Sequence, residues 1–434
     1  MAVAPDDAVS TRGAGGGRRR IGWGVGDQAL SSFSNFAMSL LIARSVSPEE
    51  FGAFGIAFAT YTVALGAGRA IAGEPLVVLF SSVPEPRWAR GTATAAGTAL
   101  ALGATACVAC VVAGTLAGGA LGRGLVVLGI ALPGLLLQDL WRYSLFAAKR
   151  PAAAFTNDLI WTILQLVAIG ALLLAGVRAV PQFLAAWGGA ATVAALAGMI
   201  QTRTVPRPGA TLRWLAEQRE LSSRYLAEFG ARNGTQAGVV YATGALAGLA
   251  QAGALRAGQV ALGIPHVLNM GLTGVSIPEA LRHLEHSPNH LLRFTKKVSL
   301  GIVVPTLLWG TLLLMLPTSA GEAILGRAWE LARSVLIPLT LAQAAAGMQT
   351  GATVGLRALA DARRSLRARL STAIFALGGG VVGAATWGAA GAASGLALGL
   401  WIGAVFFWLA LIAAVRDYES KPSGEFPTRA RAPS

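Results

Sequence analysis

Charge is scarce in this 434-residue chain: 13% of its residues are Asp, Glu, Lys or Arg, against about 25% in a soluble domain. Acids are the scarcer sign, 20 against 35 bases, so the chain carries +15. A soluble nucleic-acid binder of that net charge is charge-rich, so no nucleic-acid partner is expected. There are two cysteines, Cys107 and Cys110, in a C-x-x-C within an apolar stretch. With no redox partner motif beside them, they read as buried apolar residues. Three of the four histidines (His283, His286, His290) cluster with Glu285 in a polar connection, which reads as a solvated loop rather than a metal site. The phosphate-binding pattern G-x-x-x-x-G-K-[ST] is missing, so nothing suggests an ATP-driven machine. No cofactor and no metal are expected. Residues 1–20 are polar and Gly/Arg-rich, and the apolar run after them is too long for the core of a cleavable signal.

What the chain has instead is apolar length. Apolar residues make up 54% of it, and many stretches reach the roughly 20 residues that a helix needs to cross about 30 Å of hydrocarbon. Twelve such stretches are predicted as spans: 21–43, 51–80, 92–117, 124–147, 155–176, 180–200, 222–246, 251–278, 298–317, 334–355, 368–387 and 390–415. The expected fold is an all-α integral membrane protein of about 12 transmembrane helices. Its expected parts are a disordered cytoplasmic N-terminus (1–20), a six-helix half (21–200), a linker with an amphipathic helix (201–221), a second six-helix half (222–415) and a cytoplasmic tail (416–434). In the linker region Trp214, Leu221 and Tyr225 share one helical side and Arg213, Glu217, Glu220 and Arg224 another, the pattern of an interfacial helix.

The cations support this layout. Assigning alternate connections to the inside puts 27 of the 35 Lys and Arg there, Arg142 counted among them, and only Arg44, Arg123, Arg178, Arg327 and Arg333 outside. Cytoplasmic loops hold such an excess because translocating it is unfavourable. A multi-pass protein of the bacterial cytoplasmic membrane with both termini inside is therefore expected. Sliding the second half over the first by 201 residues aligns Gly52-Ala53 with Gly253-Ala254, Asp27 with Glu228, Ser31 with Arg232 and Asn35 with Gln236. Six plus six helices give parallel repeats about a pseudo-two-fold axis along the membrane normal, with a central cavity, as in secondary transporters.

The segment Leu41-Ile-Ala-Arg-Ser-Val-Ser-Pro-Glu-Glu-Phe-Gly-Ala-Phe-Gly resembles the first loop and second-helix start of Wzx-type polysaccharide flippases. These belong to the multidrug/oligosaccharidyl-lipid/polysaccharide (MOP) exporter superfamily. Trp141-Arg-Tyr-Ser-Leu-Phe-Ala-Ala-Lys-Arg-Pro resembles the family's fourth helix and following loop, and Gly253-Ala-Leu-Arg-Ala-Gly-Gln-Val loosely repeats the first pattern. The resemblance implies a MATE-like fold and a polyprenyl-diphosphate-linked glycan as substrate. It also implies glycan polymerase or glycosyltransferase partners alongside membrane lipids. The related lipid II flippases usually carry two further helices, so that substrate ranks lower.

Ionisable residues at membrane depth are costly unless they face a cavity or a partner. Asp27, Ser31, Asn35 and Ser39 recur every four residues in the first span, and Arg224, Glu228, Arg232 and Gln236 do so in the seventh. Three cations, Arg69, Arg232 and Arg256, fall within spans, and at three depths they suit an anionic substrate. Ser31, Asn35 and Gln236 are expected on a polar cavity stripe, and Asp27 or Glu228 as the H⁺ or Na⁺ coupling site. The structural alternatives are helix–helix hydrogen bonds for the serines, mutual neutralisation of Glu228 and Arg232, and snorkelling of Arg69 and Arg256. The leading function is a lipid-linked oligosaccharide flippase. A cation-coupled drug exporter on the same fold is the nearest rival, and a membrane glycosyltransferase or ligase using Glu49 and Glu50 is the third reading.

Overall fold

The computed structural model describes residues 10–420, and the side chains of residues 10–21, Val25 and Arg232 lie outside that description. Among the described residues every regular element is helical. They are α1 (Ser10–Ser45), α2 (Pro48–Gly68), a π-helical turn (Arg69–Gly73), α3 (Glu74–Phe80), α4 (Glu85–Ala117), α5 (Gly119–Ala147), α6 (Pro151–Leu174) and α7 (Val180–Thr202). The chain continues through the short α8 (Thr211–Glu217), α9 (Arg219–Phe229), a second π turn (Gly230–Gly234), α10 (Thr235–Ala247), α11 (Leu249–Ala261) and α12 (Gly263–His286). It ends with α13 (Pro288–Met315), the short α14 (Thr318–Leu325), α15 (Ala328–Ala358) and α16 (Ala362–Glu419).

Local chemistry explains the starts and bends. At the head of α2 the Ser47 hydroxyl accepts from the Glu50 amide at 3.2 Å, Pro48 opens the helix, and Glu49 and Glu50 occupy its positive end. α4 and α5 form a hairpin that turns at Gly118 and Gly119, whose φ of 62° and 57° suit glycine. α16 is likewise two limbs, broken at Trp387 and Gly388 (φ 59°). Glycines let the limbs touch backbone to backbone: a Cβ on Gly395 would lie 1.9 Å from the Gly379 carbonyl oxygen, and one on Gly391 2.1 Å from that of Gly383.

Among the described residues eight helices are long and apolar enough to cross a membrane, and α11 with α12, bent by 57°, makes a ninth if the pair is one span. Counting the two limbs of α16 separately, and adding α1 and the broken α9–α10 segment, every one of the twelve predicted spans falls on helix. Apolar side chains face outward along these helices, Leu174 at 92% and Leu116 at 83% exposure among them, as lipid-facing surface requires. This is a multi-pass membrane protein.

Residues 10–20 continue α1 as helix, whereas residues 1–9 and the tail from 421 lie outside the described residues. The chain packs as two compact units. One runs to Val260 and takes in Pro317–Ala332; the other holds Ala261–Leu316 and resumes at Arg333. The first unit reaches past the linker because α2 and α11 meet at glycines: a Cβ on Gly52 would lie 1.8 Å from the Leu249 carbonyl oxygen. The linker also departs from a membrane-surface helix. Gln218 breaks it, and Trp214 is 2% exposed in a protein core with Leu76, Leu137, Leu140 and Trp141.

Candidate functional site

Within the first unit, α1, the C-terminal part of α5 and the first turns of α6 bring polar residues together. On α5, Gln138 and Arg142 are one turn apart and therefore share a face, with Asp139 beside them. The Arg142 guanidinium donates from Nε to Asp27 Oδ2 at 2.5 Å and from Nη2 to Gln28 Oε1 at 3.1 Å, and its Nε lies 3.8 Å from Asp158 Oδ2. Gln138 Nε2 donates to Asp158 Oδ1 at 2.7 Å and to Asn157 Oδ1 at 3.2 Å. Asn157 in turn donates to the Ala194 carbonyl and to Gln201 on α7. The cluster is closed to solvent: the Asp27 side chain is 0% exposed and that of Asp158 2%.

A second pair adjoins it. Arg69, the first residue of the π turn, donates two bonds to Asp139, from Nη2 to Oδ1 at 2.6 Å and from Nε to Oδ2 at 2.8 Å. This is the planar two-point geometry that guanidinium and carboxylate favour. Tyr143 lies beneath the guanidinium, and a cavity of about 10 Å³ opens beside the pair, lined by Gly68, Arg69, Gly73 and Asp139 among others. Asp27, Asp139 and Asp158 carry three negative charges when ionised, and Arg69 and Arg142 two positive ones. The surplus is one carboxylate, the amount that one proton or one monovalent cation neutralises. Asp27 Oδ1 is buried without a hydrogen-bond partner among the described residues.

The predicted site residues fall in different places. Asp27 is in the cluster, and Glu228 is half-buried on α9. Arg69, expected as a lumen cation, has its charge matched by Asp139. Arg256 on α11 is half-buried with its guanidinium over the Phe58 ring, 3.8 Å from the centroid, and it donates to Ser39 Oγ at 2.8 Å. Among the described residues no carboxylate pairs with it, and its Nε has no acceptor. On α1, Asn35 Nδ2 donates to the Ser31 carbonyl at 3.0 Å while Asn35 Oδ1 is buried without a partner. Gln236 is exposed on α10. Arg232 lies in the second π turn, and its side chain is outside the described residues.

Arg142, which the sequence places at the inner end of its span and counts with the inner cations, is 8% exposed on α5 and is the hub of the cluster. A usable signal existed. Gln138, Asp139 and Arg142 interrupt an apolar run, and Asn157-Asp158 interrupt the next one. Among the described residues no three His, Cys, Asp or Glu side chains are grouped to hold a metal ion.

No protein-family model matches the chain, and no curated protein matches its sequence. Solved structures do match. A lipid II flippase MurJ in an inward closed conformation superposes with TM-score 0.67 over 90% of this chain and 89% of that one, at 12% identity. An inward-facing multidrug resistance MATE family transporter of the MOP superfamily gives 0.65 over 91% and 96%, at 15% identity. The chain shares the fold of these two structures. A MATE structure in the straight conformation matches at TM-score 0.56 over 93% of this chain and 96% of that one, at 15% identity. The MATE-like architecture expected from the Leu41–Gly55 and Trp141–Pro151 segments is thereby met, at the level of fold.

Proposed function

We propose that this chain flips a polyprenyl-diphosphate-linked oligosaccharide across the bacterial cytoplasmic membrane by alternating access, for surface polysaccharide synthesis. The observation that carries the reading is Arg256. Among the described residues, Arg69 is matched by Asp139 and Arg142 by Asp27, while Arg256 rests on an aromatic ring with no carboxylate. Holding an unmatched cation at membrane depth is costly, and a diphosphate would supply the missing charge through bidentate contacts. With the inside negative, a diphosphate of about two charges gains roughly 4–5 kcal/mol per 100 mV on moving out. Resetting the carrier then calls for a cation, and the surplus carboxylate at Asp27 and Asp158 suits H⁺ or Na⁺. On this reading both termini are cytoplasmic, as the Lys/Arg distribution requires, and the glycan polymerase and glycosyltransferases are its working partners.

The surplus carboxylate also favours the second reading, a cation-coupled exporter of drugs or small molecules. That reading is weaker for organic cations, because Asp27 and Asp158 are closed off and already engaged by Arg142 and Gln138. A membrane glycosyltransferase or ligase has less support still: its candidate acids, Glu49 and Glu50, sit in the first turn of α2, where they complement the helix dipole.

Transport of a fluorescent polyprenyl-diphosphate glycan in proteoliposomes tests the reading. Arg256→Gln is expected to slow it about tenfold or more, equivalent to about 1.4 kcal/mol of lost anion recognition. Arg256→Lys should retain part of the rate. Glycan transport at the wild-type rate in R256Q overturns the anion path. In the same assay Asp27→Asn should lose the proton or sodium dependence; full retention removes Asp27 from coupling. Accumulation of an organic cation in deletion cells with intact surface glycan would favour the exporter.

A further inference from the structure

Pro75 follows directly on the π turn that carries Arg69 and deprives it of one helical donor. In an α-helix the amide of residue 75 would bond to the carbonyl of residue 71, but residue 75 is proline and has no N–H to donate. The Ile71 carbonyl is therefore released by its own helix. Two donors from the linker region reach it: Trp214 Nε1 on α8 at 2.9 Å and Ser222 Oγ on α9 at 3.3 Å. Both residues are buried, Trp214 at 2% exposure and Ser222 at 7%. The indole is stacked near Phe80, 6.1 Å between centroids, and shares its core with Leu137, Leu140 and Trp141, the residues that flank Gln138, Asp139 and Arg142 on α5. The chain leading into α8 is docked as well, with the Arg207 amide donating to the Ala93 carbonyl at 2.9 Å.

We propose that Trp214 is a positioning residue: by capping the Ile71 carbonyl it holds the π turn in the register that sets Arg69 against Asp139. A π turn packs an extra residue into one turn, so relaxing it rotates everything on one side of it relative to the other. Arg69 opens the turn and Gly73 closes it against the Tyr143 ring, which a Cβ at position 73 would approach to 3.0 Å. The groups that face Arg69 are Asp139, Tyr143 and the cation Arg142 from α5 and Tyr61 from α2, with Glu74 beside Tyr143. The linker thereby sets the geometry of the charged site from outside it. This deepens the proposed transport function and rests on it only for the meaning of the Arg69–Asp139 pair.

The test uses the full chain and a rescue. Trp214→Phe keeps the ring in its core and removes the donor, and Pro75→Ala returns an amide to Ile71 from the helix itself. Thermal midpoints in detergent are expected to fall for W214F and to recover by more than half in W214F/P75A, which a loss of packing alone would not do. W214F and Arg69→Gln combined should cost less than the two separately, because each loses the same Arg69–Asp139 pair. Additive losses, or no recovery with P75A, overturn the proposal. Ser222→Ala, which removes the second donor and leaves Trp214 packed, carries the same rescue test if W214F does not accumulate in membranes. The transport pH profile separates the two readings. A W214F profile displaced like that of R69Q supports both. Rescued stability with an undisplaced profile sustains the positioning of the turn and counts against the pair's part in transport.

Discussion

Replacing Arg142 by Gln removes the cation that Asp27 and Asp158 share and leaves three carboxylates with one guanidinium, Arg69, which is already engaged by Asp139. Breaking a buried pair on one side costs about 3–5 kcal/mol, because the remaining charge is neither paired nor hydrated. The carboxylates have one escape, which is to take up a proton. A variant whose folded state holds one more proton than its unfolded state gains about 1.4 kcal/mol for each unit that the pH falls, as long as the unfolded carboxylates stay ionised. From about pH 8 to about pH 5 that amounts to roughly 4 kcal/mol, the same size as the loss. R142Q should therefore be severely unstable at the alkaline end and approach the wild type at the acid end. R142Q/D27N, which removes one of the stranded charges, should be more stable than R142Q at the alkaline end and less dependent on pH. The assay is the half-life of monodisperse protein in detergent at fixed temperature, read by size exclusion, since unfolding of membrane proteins is commonly irreversible. Equal half-lives of R142Q and wild type at about pH 8, or a deficit that does not shrink on acidification, would refute the charge accounting.

Two further predictions concern the second unit. Gly395→Ala places a methyl 1.9 Å from the Gly379 carbonyl oxygen, so the limbs of α16 must part; a loss of about 1–3 kcal/mol is expected. Gly378→Ala, whose Cβ meets nothing within 4 Å, should be near neutral, and equal effects in a thermal-stability comparison would rule out the packing account. At the head of the same helix burial raises the Asp361 carboxyl, but the Arg364 amide at 3.0 Å and Nη1 at 2.7 Å outweigh it and hold it below the usual carboxylate range. Arg364 also bonds Asp417 at the far end of the hairpin. A lowered folded value means that the contribution of Asp361 is complete above the ordinary carboxylate range and is lost as pH falls through the lowered value. Asp361→Ala should cost about 0.5–2 kcal/mol at neutral pH through the lost cap. Asp361→Asn should keep the cap and lose the acid-side decline; a D361N acid transition identical to wild type argues against the ion pair.

Apolar length and the asymmetry of Lys and Arg are local properties, so twelve spans could be read one stretch at a time. Helix starts were legible for the same reason, since Ser47-Pro48-Glu49-Glu50 carries its own cap. Asp27 was picked out because a lone acid in an apolar helix is conspicuous. Its partner was not. Arg142 lies near the end of its helix, where a basic residue has a ready topological meaning, and only the packing of α6 against both α5 and α1 brings it to Asp27 and Asp158. Arg69 shows the converse: its burial was legible, its neutralisation by Asp139 was not, because the two lie 70 residues apart.

The linear sequence by itself determined that this is a many-helix membrane protein, where its helices begin, and that a few charges lie at membrane depth, because hydropathy, capping and proline act over one or two turns. Tertiary structure alone decided which of those charges are spent on one another and which is left over. It also decided that Trp214 in the linker caps the carbonyl that Pro75 releases. The pairing of charges depends on distances between helices, and no local pattern encodes a distance.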